Sequence, residues 1–361
     1  MSAPRPRVGV DARCLLEPVG GLRRWGESVL PLLPEVAAQL EWLLFVTDVP
    51  SAMPAFDGVA WRRVPGSHRA VLRPWWEDVR LPRALAAEPV DALLSPTGVV
   101  PRTRLPVVAV VHDLVALTHP ATLPWRHRRY WRRVARRLPQ AARVVANSAA
   151  TAADVCRLTG VPEARVTVAP LAPAAVFRPA APDNVAAVER RLGLEPPYLL
   201  LVAGAGGRRK GLAIVGEALA GHDRVRLVVV GAGSVGSAAP PVRATGWLPD
   251  PDLAALMTGA LAVACPSLTE GFGLPVVEAM ACGAAVLASD AGALPEAAGG
   301  AAVLLPADDP TAWRAAVERL LADDELRARL GRAGRDRVRD LSWESTARIV
   351  ADAVRAALAP A

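Results

Sequence analysis

The feature that most constrains this chain is an alternation, made twice, of short apolar runs with segments of helical length. In the first series the runs are Arg7–Val10, Trp42–Thr47, Asp91–Ser95, Val107–Val111, Arg143–Asn147 and Val166–Ala169. Each is bounded by turn residues and is nearly continuous in apolar side chains, the pattern of a parallel strand covered on both faces. Leu22–Gln39, Leu123–Leu138 and Thr151–Thr159 lie between them and read as helices. Pro170, Pro173, Pro179, Pro182, Pro196 and Pro197 then interrupt the pattern. The second series runs Tyr198–Ala203, Gly211–Ala220, Val225–Val230, Asp252–Thr258, Leu261–Cys265, Pro275–Cys282, Ala285–Ala288 and Val303–Leu305. It closes on helical patterns over Pro310–Asp323, Glu325–Val338 and Trp343–Leu358. Alternating strand and helix predicts an α/β chain with two doubly wound, Rossmann-like domains facing across a cleft at the carboxyl ends of their strands. The expected boundaries are a first domain over 1–178, a linker over 179–197, a second domain over 198–340, and a last helix over 341–361 that returns to the first domain.

Composition narrows the class. The chain has 361 residues, 52% of them hydrophobic, enough to fill two cores, which excludes general disorder. No apolar run approaches the roughly 18 residues that span a bilayer, and no signal-peptide core follows Met1, so a cytoplasmic location is expected. Cys14, Cys156, Cys265 and Cys282 form no C-x-x-C pair. Four reduced, mostly buried thiols are expected, with neither a zinc site nor a disulfide framework. Charge is uneven: residues 1–178 carry a net +10 and the remainder −3, within a total of +7. A basic first half suits an anionic partner. Of 42 Lys and Arg residues, Lys210 is the lone lysine, which singles it out for a specific role.

Five segments carry the chemistry. In Pro266–Gly283 a strand ends, a glycine-containing loop follows, and Pro275 sits where a helix starts, with Glu270 in the loop and Glu278 expected in the first helical turn. The amides of Gly271, Phe272, Gly273 and Leu274 would then face outward at the positive helix end, a seat for phosphate, flanked by two carboxylates that accept from hydroxyls. Gly204–Gly211 also joins a strand to a helix and places Arg209 and Lys210 beside exposed amides, as a diphosphate requires. Gly231–Gly236 matches the G-x-G-x-x-G dinucleotide fingerprint, but it sits in mid-domain and Pro240-Pro241 follows too soon for a helix, so NAD binding is not expected. His112-Asp113 stands at a strand's carboxyl end, and Gly20-Gly21 follows the first strand. Trp125–Leu138 sets Tyr130, Trp131, Val134 and Leu138 on one face among seven arginines. That suits a packed surface helix, an anionic membrane surface or nucleic acid. Trp75-Trp76 reads as core or as acceptor lining.

Taken together these residues resemble the retaining glycosyltransferases of family 4, of GT-B fold, over nearly the whole chain. The strongest carrier is Glu270-Gly-Phe-Gly-Leu-Pro-Val-Val-Glu278-Ala-Met-Ala-Cys-Gly283, similar to that family's E-x7-E element. Support comes from Gly204–Gly211, His112-Asp113-Leu114, Ser148–Asp154, Gly246-Trp-Leu-Pro-Asp250 and Ser289-Asp290 with Pro295-Glu296. Ala205 and Pro170-Leu171-Ala172 depart from the family pattern. The resemblance implies that Glu278 holds a donor ribose and Glu270 the hydroxyls of the transferred sugar. Gly271 and the amides of Phe272, Gly273 and Leu274 meet sugar and phosphate, and Arg209 and Lys210 neutralise the leaving diphosphate. Gly21 approaches that diphosphate, His112 contacts the sugar near the reacting carbon, and Gly246, Trp247 and Leu248 lie on the base side.

The implied substrate is a nucleotide-diphosphate sugar, with no cofactor and no metal, and transfer retains anomeric configuration. The acceptor is expected to be anionic or membrane-borne, which would place the chain peripherally on the inner face of a membrane. A nucleotide-sugar epimerase of the same fold is the rival enzyme. An arginine-rich nucleic-acid binder is the rival outside enzymes, though the basic residues form no recognisable motif of that kind and no nucleic acid is expected as partner.

Overall fold

The computed structural model describes residues 4–17, 20–47, 59–66, 73–204, 207–231 and 242–359. The chain forms two compact units, Met1–Leu171 with Trp343–Ala361, and Ala172–Ser342. Each is built on one parallel sheet.

The sheet of the first unit has seven strands: β1 (Arg7–Asp11), β2 (Glu41–Val46), β3 (Val59–Arg63), β4 (Ala92–Ser95), β5 (Val107–Val111), β6 (Arg143–Ala146) and β7 (Val166–Val168), in the spatial order β3-β2-β1-β4-β5-β6-β7. Strand order reverses between β1 and β4, so the loops after these two strands leave toward opposite faces and open a crevice there. The main helices are α1 (Gly21–Val29), α2 (Leu81–Ala87), α3 (Trp125–Ala135) and α4 (Ala149–Thr159). Ser148 caps α4 by accepting from the Thr151 amide at 3.0 Å, and Gly160 ends it at φ +77°. The core gathers Phe45, Trp76, Leu81, Leu93, Ala109, Val144 and Val155.

The second unit follows with α5 (Pro182–Leu192), β8 (Tyr198–Val202), α6 (Leu212–Ala218), β9 (Arg226–Val230), β10 (Val242–Gly246), α7 (Asp250–Gly259), β11 (Ala262–Cys265), α8 (Leu274–Ala281), β12 (Val286–Ser289), β13 (Val303–Leu305), α9 (Pro310–Ala322) and α10 (Asp324–Val338). Its strand order, β10-β9-β8-β11-β12-β13, repeats that of the first six strands of the first sheet, with the reversal between β8 and β11. Leu199, Leu201, Val215, Leu227, Leu287, Trp313 and Leu320 fill its core. The Trp313 indole N–H, which burial would otherwise penalise, donates to the Pro306 carbonyl at 2.9 Å.

The last helix, α11 (Trp343–Leu358), packs in the first unit against α1 and the strands β4 to β7. It buries Ala347, Val350, Ala351 and Val354, and the Thr346 hydroxyl donates to the Pro170 carbonyl at 2.5 Å.

Several elements differ from expectation. β3 and β10 are edge strands with mixed, half-exposed faces, so they lack the apolar run that marks a central strand. α5 lies inside the stretch read as a linker: Pro182 is its first residue, where proline is favourable, and Gly193 closes it in the left-handed conformation. Trp76–Arg80 forms a π-helical turn leading into α2. Val134 on α3 and Leu138 just beyond it are buried, but Trp131 is 36% exposed and does not belong to the packed face. All four cysteines are free thiols; Cys14, Cys265 and Cys282 are buried and Cys156 is half-buried.

Candidate functional site

The second unit gathers its chemistry at the strand-order reversal. The loop after β8 carries Arg209 and Lys210, and the loop after β11 carries Ser267 and Glu270. The two loops are stitched together by the Leu268 amide donating to the Arg209 carbonyl at 2.9 Å. Their approach is close enough to demand glycine. Gly211 holds φ +68°, and a Cβ there would stand 1.8 Å from the Pro266 carbonyl oxygen. A third loop, after β12, closes on the same point: the Ala293 amide donates to the Glu270 carbonyl at 3.1 Å, and the Ser289 hydroxyl donates to the Ser267 carbonyl.

Glu270 is the hub. Its Oε1 accepts from Lys210 Nζ at 2.7 Å and from the Ser267 hydroxyl at 2.6 Å, and its Oε2 accepts from Arg209 Nη1 at 3.0 Å. Arg209 Nη1 also donates to the Thr269 carbonyl at 2.8 Å. Burial alone would raise the Glu270 pKa, but Lys210 and Arg209 outweigh it and hold the carboxyl at about 2. Glu270 is therefore an ionised, acceptor-only group at neutral pH. The sequence assigned the two cations to a diphosphate, and the structure shows each already bound to Glu270. The three side chains together carry one net positive charge.

The loop then turns into α8. Gly273 is its N-cap at φ +107°, and a Cβ there would meet Leu294 at 2.8 Å. Among the described residues the Phe272 and Gly273 amides donate to no protein acceptor. They stand at the positive end of α8, where an anion is favoured. Gly271, Phe272, Gly273 and Leu274 are themselves buried. Glu278 corrects an expectation: α8 starts at Leu274 with Pro275 second, so Glu278 lies one turn inside the helix rather than in its first turn, and it is 4% exposed. Lys210, Cys265, Ser267, Glu270, Gly273 and Pro275 line one small pocket at this point. Burial pushes the Cys265 thiol up to about 12, so it stays protonated.

Gly246 ends the edge strand β10, away from the reversal, and Trp247 and Leu248 follow it. Trp247 is 45% exposed, and Gly246 at φ +74° accepts the Gly231 amide at 2.9 Å. Gly231 in turn presses on the loop after β8: its Cβ would stand 2.6 Å from the Gly204 nitrogen. The rest of the G-x-G-x-x-G stretch, 232–236, and Ala205 lie outside the described residues.

The first unit holds the remaining candidates. Gly21 begins α1, with Gly20 as N-cap. His112 follows β5; its Nε2 donates to the Pro96 carbonyl at 3.0 Å, and its ring meets Trp25 edge-on with centroids 5.8 Å apart. Burial pushes its pKa below the ordinary value, against the pull of the Pro96 carbonyl and Asp113. The ring is neutral at pH 7, and because a carbonyl only accepts, Nε2 carries the proton and Nδ1 keeps its lone pair.

One constellation has no sequence signal. Asp11, at the end of β1 and 1% exposed, accepts from Arg13 Nη2 at 2.6 Å and Nε at 2.8 Å and from the Thr97 hydroxyl at 3.1 Å. Arg13 stacks on Trp76 at 4.2 Å and donates to the fully buried Glu77 at 3.2 Å. Glu77 also accepts from the Tyr130 hydroxyl at 2.5 Å and from Arg133 at 3.0 Å. Asp11 and Glu77 are 66 positions apart in the numbering, so only the fold joins them. Among the described residues no group of three or more His, Cys, Asp or Glu side chains is gathered to hold a metal ion. Among them, too, no helix is long and apolar enough to cross a membrane.

Residues 187–337 match the family profile described as Glycosyl transferases group 1, and residues 39–172 match Glycosyltransferase Family 4. The chain is 27% identical over 268 residues to the O-antigen chain mannosyltransferase B of Escherichia coli, an alignment covering 70% of each. It spans about half the length of other curated relatives it matches. Among solved structures, sucrose-phosphate synthase from Thermosynechococcus elongatus aligns with a TM-score of 0.74 at 22% identity, covering 95% of this chain and 96% of that one. Anabaena HepE in complex with UDP-glucose aligns with a TM-score of 0.72 at 17% identity, covering 97% and 99%. The expected GT-B fold class is therefore present: two doubly wound α/β units, each on a parallel sheet with one strand-order reversal. One glycosyltransferase profile lies on each unit, which bears out the resemblance of this chain to the family 4, group 1 glycosyltransferases.

Proposed function

We propose that this chain moves a sugar from a nucleotide-diphosphate sugar to an acceptor hydroxyl, with retention of anomeric configuration and without a metal. The observation that carries the reading is Glu270, clamped by Arg209, Lys210 and Ser267 at the strand-order reversal beside the unbonded amides of Phe272 and Gly273. Anabaena HepE, a neighbour in fold, is a protein whose structure contains UDP-glucose, which supports a donor of this class.

In this reading the diphosphate lies against the α8 amides and the net positive charge of the Arg209–Lys210–Glu270 cluster, and Gly21 is assigned to the same diphosphate. The bond from the anomeric carbon to the diphosphate oxygen breaks, and the acceptor oxygen bonds to that carbon on the same face. The departing charge is stabilised by donors already in place, which lowers the barrier without reorganisation. Glu270 at a pKa of about 2 is a poor proton acceptor, and its oxygens are occupied by three donors. The acceptor proton therefore passes to an oxygen of the leaving phosphate. Glu270 instead accepts from one sugar hydroxyl at its remaining lone pair, Glu278 from the donor ribose, and His112, neutral with a free Nδ1, from a sugar hydroxyl near the reacting carbon. Gly246, Trp247 and Leu248 border the base. The basic first unit presents an acceptor that is anionic or membrane-borne, at the cytoplasmic face of a membrane.

A thermal-shift panel of UDP, GDP, dTDP and ADP sugars tests donor binding, because a ligand of the native state raises stability by mass action. NMR of the product then reads the anomeric configuration, with EDTA leaving the rate unchanged. Consumption of donor without acceptor would identify an epimerase instead, and no shift with any nucleotide sugar would remove the reading.

A further inference from the structure

The seven arginines of the Trp125–Leu138 segment divide into two sets with different partners. Arg133 and Arg137 turn inward: Arg133 bridges Glu77 and Asp78, and Arg137 pairs with Asp78 and donates to the Val100 carbonyl at 3.3 Å. Together with Tyr130 on Glu77, and Val134 and Leu138 in the core, they fix the rotation of α3 about its own axis. Trp125, Arg129, Arg132 and Arg136 follow the spacing i, i+4, i+7, i+11 and share the opposite face. All four are exposed, Trp125 at 60%. At 1.5 Å per residue the row is roughly 16 Å long. Among the described residues Arg129, Arg132 and Arg136 form no ion pair, and α3 carries no acidic residue. The row is thus a line of uncompensated cations held at a set orientation.

The aromatic residues indicate the kind of anion. Trp125 is covered on one side by Arg126, 5.4 Å from the ring centroid. On the neighbouring segment Trp75, 47% exposed, is covered by Arg80 at 5.2 Å. Each of these indoles keeps one open face. A tryptophan beside arginines is suited to the headgroup layer of a bilayer, where the ring sits at the interface and the guanidinium meets phosphate. A row of cations held against anionic headgroups gains from the negative surface potential of the leaflet.

We propose that the outward face of α3, with Trp125 and the row Arg129, Arg132 and Arg136, docks the first unit onto an anionic lipid bilayer. This deepens the acceptor side of the function proposed above, and it is tested with neither donor nor acceptor present, so the two readings fail separately.

The full chain is sedimented with phosphatidylcholine vesicles, with and without phosphatidylglycerol, over a range of salt. Binding is expected only with the anionic lipid and is expected to weaken as salt rises. At about fivefold per arginine, R129Q/R132Q/R136Q lowers partitioning by about a hundredfold. The charge-matched control R319Q/R329Q/R332Q, exposed on the second unit, binds as wild type does. Trp125→Ala, which removes no charge, weakens binding at every salt concentration and carries the test independently if the triple variant does not fold. Equal partitioning onto neutral vesicles, wild-type binding by the folded triple variant or by W125A, or displacement of the chain from vesicles by a single-stranded RNA would overturn the proposal.

Discussion

Lys210 Nζ lies 2.7 Å from Glu270 Oε1, joining two strand-end loops 60 residues apart in sequence. The contact makes the charge of Glu270 part of the stability of the fold. Its carboxyl is held at about 2, below the ordinary 4.5, so the stabilisation is complete above about pH 5 and is lost as pH falls through about 2. The shift corresponds to a ceiling on the order of 3 kcal/mol. Urea unfolding at pH 6 and pH 3 should show wild type losing more stability across this window than Glu270→Gln. Parallel losses would mean that Glu270 is not the group responsible.

Donor binding should depend on Glu278 and Lys210 in different ways. On the proposed function, Glu278→Ala removes an acceptor for the donor's ribose hydroxyls, and a charge-assisted hydrogen bond contributes about 1.5–3 kcal/mol, so affinity should fall at least tenfold. On the proposed function, Lys210→Met removes charge directed at the leaving group, so kcat should fall more than affinity. Titration calorimetry with the best donor, alongside steady-state kinetics, separates the two. A Glu278→Ala variant that binds and turns over as wild type does would falsify the assignment.

Two glycines with the same dihedral should respond very differently. Gly211 and Gly221 both hold φ +68°, but a Cβ on Gly221 meets nothing within 4 Å, whereas one on Gly211 collides with the Pro266 carbonyl. Gly221→Ala should cost about 1–2 kcal/mol for the backbone alone. Gly211→Ala must also part the two site loops, and it should lower Tm further and weaken donor binding. Equal melting temperatures for the two variants would show that the loops are not in contact at that point.

The chemistry-bearing loops were legible in the sequence because they follow central parallel strands. β5 and β11 are buried on both faces, so their apolar runs announce themselves, and the loop at each strand's end is then placed by default. β3 and β10 were not legible, because an edge strand such as Val59-Ala-Trp-Arg-Arg63 needs only one covered side. α5 was hidden by Pro182 and the prolines around it, which sequence reading takes as breakers although Pro182 opens the helix. At the site, spacing identified Glu270, Arg209 and Lys210, but not their mutual pairing. That pairing depends on two loops meeting, which Gly211 permits and no local pattern encodes. The Asp11–Arg13–Glu77 network is illegible for the same reason, since each partner alone reads as an ordinary surface charge.

Glu77 should be among the most sensitive positions in the first unit. It is fully buried and anchors Arg13, Tyr130 and Arg133. Glu77→Leu leaves the buried Arg13 with one partner fewer, and breaking such a network from one side costs about 3–5 kcal/mol. Arg133→Met, at a site 28% exposed, removes a partner that water partly replaces and should cost less. Guanidinium unfolding of both variants measures the order.

His112 should remain uncharged through neutral pH. Its pKa is lowered in the folded state, so the unfolded chain takes up a proton first as pH falls. The contribution of His112 to stability is therefore full above the ordinary imidazole range and declines below about pH 6.5. Nitrogen-15 NMR of the imidazole should show the Nε2–H tautomer at pH 7, and His112→Asn should flatten the decline in stability on the acid side. A ring that titrates at its ordinary value would remove the basis for treating it as a neutral acceptor.

The placement of α11 sets an order of events during synthesis. The strands of the first sheet are made before the second unit, yet the helix that covers β4 to β7 is made after it. While the ribosome builds the second unit, the apolar side chains destined to meet Val350 and Val354 have no cover. The second unit can mature as its own chain emerges, and the earlier one must wait for its final piece, which makes the interval between them the period in which this protein most needs a chaperone.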